Sequence, residues 1–144
     1  MAEHEVIRLL DLRDTPLSVD EVLGAVTDAG SGGTAVFIGT VRDDDHGRAV
    51  TSLGYSAHPS ALDELRAVAG EVAAGHGVRA LAAVHRVGDL AIGDLAVVVA
   101  VACPHRGEAF VACRALIDEL NSRVPIWKHQ HFADGTDEWV GACD

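Results

Sequence analysis

Four short stretches of this 144-residue chain carry side chains suited to handling anions, protons or metals. Pro104-His105-Arg106-Gly107 falls between an apolar run and a helical pattern. Backbone N–H groups, the positive end of a helix dipole, an imidazole and a guanidinium would meet there, a combination suited to gripping a phosphate. The alternative is an ion pair of Arg106 with Glu108 or Asp94. Arg123-Val124-Pro125-Ile126-Trp127-Lys128 places an ammonium beside an indole after a proline that fixes the chain direction. Desolvation there would lower the lysine's pKa and make its amine usable as acid, base or nucleophile; the alternative is a surface lysine lying over Trp127. Arg42 ends a strand-like run ahead of Asp43, Asp44 and Asp45, and faces either a site or those carboxylates. His129 and His131 fall on one strand face and would bind a metal with Cys143 or His105. A third and fourth ligand at diagnostic spacing are missing, so no metal site is expected.

Composition narrows the partners. The chain carries 22 acidic and 11 basic residues, a net charge of −11, which argues against nonspecific nucleic-acid binding. A small anionic substrate remains compatible if the few cations gather locally, and Lys128 is the only lysine in the sequence. The hydrophobic fraction of 49% and charged fraction of 23% are globular values, and the length suits one domain over residues 1–144. The longest apolar run, Leu95 to Cys103, is too short to cross a bilayer, and the acidic start does not resemble a signal peptide. A cytoplasmic location is therefore expected. Cys103, Cys113 and Cys143 form no C-x-x-C pair, and the first two sit in apolar surroundings suited to inert thiols.

The elements that must position these residues follow from periodicity. Strands are expected over 6–10, 34–42, 50–56, 78–87, 94–102, 126–132 and 138–141. Ser18 followed by Glu21 signals a capped helix over 18–28. Leu62, Leu65, Val68, Ala69 and Val72 trace a second helix, and Phe110, Cys113, Ile117 and Leu120 a third that stops near Arg123 ahead of Pro125. Residues 43–48 and 88–94 read as loops, 134–137 as a hairpin turn, and Gly39 as a bulge. The strand of residues 94–102 is apolar at nearly every position, so both its faces should be covered. The sum is one α+β domain with a largely antiparallel sheet.

Taken in order, several segments resemble the large, catalytic subunit of molybdopterin synthase. They are Val36-Phe37-Ile38-Gly39-Thr40-Val41-Arg42, Val84-His85-Arg86-Val87-Gly88-Asp89-Leu90 with Gly93-Asp94, and His105-Arg106 with Ala109-Phe110. Arg123 to Lys128 and Asp137-Glu138-Trp139-Val140 complete the set. The resemblance implies an α/β-hammerhead fold and a cytoplasmic enzyme of molybdenum-cofactor synthesis, with no cofactor of its own. Such enzymes install two sulfurs on cyclic pyranopterin monophosphate to make the molybdopterin dithiolene. The sulfur arrives as a thiocarboxylate on the C-terminal Gly-Gly of a small ubiquitin-like subunit, and the large subunits pair as a homodimer with one small subunit at each end. Carried over residue by residue, Arg42, His105 and Arg106 match anion-binding positions, Phe37 a pocket wall, and Lys128 a catalytic lysine near the tail's end. Two positions depart from the pattern. Asn121 stands where a second active-site lysine is expected, with Arg123 a candidate to substitute for it at the substrate, and Cys143 stands where some relatives contribute an arginine. An amide supplies neither a positive charge nor a general base. Two other readings stay open on the sequence: a module that binds the sulfur carrier without transferring sulfur, and a metal-dependent hydrolase using His105, His129 and His131.

Overall fold

A computed structural model, which describes residues 3–141, runs α1 (Glu3–Val6), β1 (Ile7–Arg13), α2 (Val19–Ala25), β2 (Gly33–Thr40), β3 (Asp44–Asp45), β4 (Arg48–Ala57) and α3 (Ala61–Gly75). The chain continues through β5 (Ala80–Arg86), β6 (Gly88–Ala91), β7 (Leu95–Cys103), α4 (Arg106–Arg123), β8 (Ile126–Phe132) and β9 (Asp137–Gly141). The apolar run of β7 lies inside a four-stranded sheet ordered β1-β5-β7-β2, parallel only between β1 and β5. As its composition requires, both faces are covered. Leu81, Val99 and Val101 pack with Leu65 of α3 and Leu116 of α4 on one side. Val84, Val98 and Ala100 pack with Val22 and Val26, in and just beyond α2, on the other.

The second sheet is ordered β3-β4-β8-β9, with β6 also pairing β4, and is antiparallel throughout. A small cluster of Val41, Leu53, Leu90 and Ala96 joins the two sheets. The mixed α+β reading therefore holds, but two expected loops carry strands. Residues 43–48 form a tight hairpin, with Asp44 opposite Ala49 and Asp45 opposite Arg48, made possible by left-handed backbone at His46 and Gly47. Residues 88–91 pair with Ser52 to Tyr55 of β4 through β6, because Leu90 has an apolar place to fill beside Leu53. Ser18 accepts from the Glu21 N–H at 3.1 Å, but α2 ends at Ala25 rather than 28. Its final turn tightens through Val26 N–H to the Leu23 carbonyl, and the Arg8 guanidinium takes up the carbonyls of Ala25 and Thr27.

The start of α4 is fixed by close backbone contact. Gly32 donates its N–H to the Pro104 carbonyl at 3.1 Å, and a side chain at Gly33 would place its Cβ 2.9 Å from Arg106 Cα and 3.0 Å from its nitrogen. Both neighbours are backbone, so Gly33→Ala must push β2 and α4 apart. The expected loss is about 1–3 kcal/mol, the usual range for overpacking, read from urea unfolding midpoints.

Candidate functional site

Where the two sheets meet, the end of β2 and the following loop, the α4 helix and β8 enclose a cleft of about 440 Å³. That volume suits a small-molecule ligand. Phe37 and Arg42 enter from β2 and the residues after it, Asn121 from α4, and Lys128 from β8. Each placement has a local cause. Asn121 lies one helical turn beyond Ile117, and both face the cleft. Lys128 and Gln130 share a strand face, whereas Trp127 lies on the other, 42% exposed and edge-on to His58. Lys128 therefore does not lie over Trp127. The β2 register shifts between Gly39 and Thr40, the bulge expected at Gly39, where a Cβ would meet Val97 Cγ1 at 2.7 Å. The bulge bends the strand so that Arg42 turns into the cleft.

Carboxylates oppose these cations. Asp44 and Asp45 also line the cleft, so the charges of Arg42 and Lys128 are balanced within one chain. Buried Gln130 donates Nε2–H to Asp45 Oδ2 at 2.9 Å, and the His46 ring lies 2.8 Å from Oδ1. The Gln130 hydrogen bond first, then His46 and the Lys128 charge, hold the Asp45 carboxyl below its ordinary range, against the opposing effect of burial. This bond pins the β3–β4 hairpin to β8 as one wall of the cleft. His85 also lines the cleft, 4% exposed, its Nδ1 2.7 Å from the Arg86 carbonyl and its ring edge-on to Tyr55 at 4.8 Å. Burial pushes its pKa down, only partly offset by that backbone bond, so the ring is neutral at pH 7. Asp45, Gln130 and His85 carried no motif of their own. The alternation of β8 could have paired Gln130 with Lys128, whereas His85 drew notice only as part of a longer segment.

The other expected site residues lie elsewhere. His105 and Arg106 open α4 beside Gly32, in a separate depression at the Gly33 end of β2. Neither acidic neighbour claims Arg106: Glu108 turns toward Gly77, and Asp94 accepts from the Ala91 N–H at 2.9 Å. Arg123 is not at the cleft. Its guanidinium grips Glu71 at 2.7 and 2.8 Å and lies 3.7 Å from Glu119, so it cannot replace a lysine at position 121. His129 and His131 are 4.4 Å apart on the outer face, where His129 stacks on Trp139 and contacts Asp137. Among the described residues, no three His, Cys, Asp or Glu side chains gather as a metal site. Cys143 lies outside the described residues. No described helix is long and apolar enough to cross a membrane.

A family model described as MoaE protein matches residues 12–123. The molybdopterin synthase catalytic subunit 1 of Mycobacterium tuberculosis is 47% identical over 132 residues, covering 90% of this chain and 88% of that protein. The molybdopterin synthase catalytic subunit of Nostoc is 41% identical over 133 residues, covering 90% and 81%. The crystal structure of molybdopterin synthase from Staphylococcus aureus is similar at a TM-score of 0.81 with 30% identity, covering 98% of both chains.

Replacing Gln130 by Leu tests the hairpin bond. At pH 7 the loss is expected to be about 1–2 kcal/mol, from one charge-assisted hydrogen bond and a stranded carboxylate. Asp45 titrates lower folded than unfolded, so its contribution is present above about pH 4 and is lost as the pH falls through the folded value. Urea unfolding at pH 7 and pH 3 should show the wild-type advantage shrinking at the lower pH.

Proposed function

The chain belongs to the MoaE family, and from that premise we propose that it is the catalytic subunit of a molybdopterin synthase. In this reading it moves sulfur from the thiocarboxylated C-terminus of a small ubiquitin-like subunit onto cyclic pyranopterin monophosphate. One observation carries the reading. In a chain of net charge −11, the sole lysine and Arg42 converge with Phe37 and Asn121 in a single cleft. Phe37 offers an aromatic wall to a flat pterin, Arg42 a fork for its oxygens, and Lys128 a counter-charge and proton donor for the thiocarboxylate. At about 4 Å and an effective dielectric of ~20, one such cation is worth about 4 kcal/mol to an anion. Asn121 offers only amide hydrogen bonds, so the ammonium of Lys128 carries the charge there.

Two anionic reactants need more positive charge than this cleft holds, because Asp44 and Asp45 offset Arg42 and Lys128. A second copy of the chain supplies it. β2 is a sheet edge, and Val36, Phe37 and Ile38 lie consecutively exposed along it, with Phe110 and Val111 exposed on neighbouring α4. An apolar edge of this kind calls for a covering strand. Antiparallel pairing of β2 with its copy about a two-fold axis sets the Gly33 end of one strand beside the Thr40 end of the other. His105 and Arg106, which abut Gly33, then approach the partner's Arg42 and Lys128. The expected anion-binding set is assembled across two chains rather than within one.

Purified protein mixed with thiocarboxylated small subunit and the cyclic pterin should yield the dithiolene product. Binding of the small subunit without product would favour the carrier-binding module, the reading to which Asn121 points. Lys128→Ala should lower turnover at least 10²-fold, the scale of removing one electrostatic stabiliser, with the small-subunit complex intact by gel filtration. Arg106→Ala should weaken pterin binding more than small-subunit binding. Re-assembling the two variants together, at a pterin concentration too low to occupy Arg106→Ala alone, tests the shared site. Half of the dimers are then mixed and each has one intact site, so about a quarter of wild-type activity should return. No recovery would place both residues in one chain's site.

A further inference from the structure

His85 is a buried imidazole at the cleft that the charge scheme above leaves idle. It lines the same cavity as Lys128 and Asn121, at the end of β5, opposite Val97 of β7. The Arg86 carbonyl can only accept, so Nδ1 carries the ring's hydrogen and Nε2 keeps its lone pair. The Tyr55 ring, standing at 90° to the imidazole, holds its plane. A fixed tautomer in a water-poor wall is the arrangement of a proton acceptor.

Resting on the sulfur-transfer reading, we propose that His85 Nε2 accepts the proton from the water that frees the sulfur carrier. Moving sulfur from a thiocarboxylate to a pterin carbon passes through a stage in which one sulfur joins both acyl carbon and pterin. Water adds to the acyl carbon and gives a proton to Nε2, and the acyl C–S bond breaks with its electron pair staying on sulfur. His85 returns the proton to that sulfur. The products are the pterin thiol and a carboxylic acid on the tail, whose remaining proton ionises to solvent, so one water is consumed and nothing is oxidised. Lys128 stabilises the oxyanion formed on the way. Burial keeps His85 neutral and ready at pH 7.

The ionisable groups facing this ring's cavity are Arg42, Asp44, Asp45 and His46 from the β2–β4 connection, Tyr55 from β4 and Lys128 from β8. β7 and α4 present Val97, Ile117 and Asn121, which carry no charge. Arg13 on β1, opposite Arg86, is held by Asp11 and Glu21. A rate limb set by His85 therefore falls on the acidic side, below the ordinary histidine value, and is lost with the imidazole.

The test uses His85→Asn, whose amide N–H can still reach the Arg86 carbonyl but which has no basic nitrogen. Turnover should fall about 10²–10⁴-fold, the acidic limb of kcat should vanish, and intact-mass spectrometry should detect the small subunit joined to pterin through sulfur. His85→Ala should regain turnover with added imidazole and not with weakly basic pyrazole of the same shape. A His85→Asn rate within threefold of wild type overturns the assignment. So does a reduced rate with the acidic limb intact and no covalent adduct, or equal rescue by both heterocycles. Wild-type protein that makes no dithiolene overturns the sulfur-transfer reading itself, a failure distinct from these.

Discussion

Burial of β7 on both faces is the constraint from which the remaining structure follows. A strand that is apolar at nearly every position must lie between two covering layers. α3 and α4 form one layer and α2 the other. With β5 on one side of β7 and β2 on the other, β2 becomes the outer strand, and α4 is led back across the sheet directly from the end of β7. That return path places Asn121, near the end of α4, at the cleft and leaves His105, which caps its start, in the separate depression.

The second sheet supplies the reactive wall. In β8 the alternation of side chains sends Lys128 and Gln130 inward and Trp127, His129 and His131 outward, so one strand serves two unlike surfaces. The inward pair is coupled through Asp45, whose carboxylate ties the β3–β4 hairpin to Gln130 and sits in the field of Lys128. An acidic group inside an anion site opposes substrate binding by simple repulsion. Here it orders a wall and balances the cations of the cleft.

Much of this was legible before any coordinates. Periodicity located every helix but the first four-residue turn and every long strand, since long amphipathic and apolar runs leave little choice of structure. Short pairings escaped it: β3 and β6 exist because β4 offers partners, which local composition does not encode. Among site residues, Phe37, Arg42, Asn121 and Lys128 share one cleft. Arg123 failed because Glu71, distant in sequence, captures it across two helices. His105 and Arg106 lie in a separate depression, because α4 starts at the opposite end of β2 from the cleft, a distance that their motif does not encode. His85 was hidden by its apolar neighbours, where a histidine reads as core.

The Gly32–Gly33 contact with the start of α4 binds the edge strand and the His105–Arg106 turn into one rigid piece. Whatever covers that edge therefore also aligns His105 and Arg106, and the two cannot be adjusted separately. Were two copies to pair along β2 as proposed, dilution would uncover apolar surface and withdraw the partner's positive charge in the same step, so folding stability and activity would decline together.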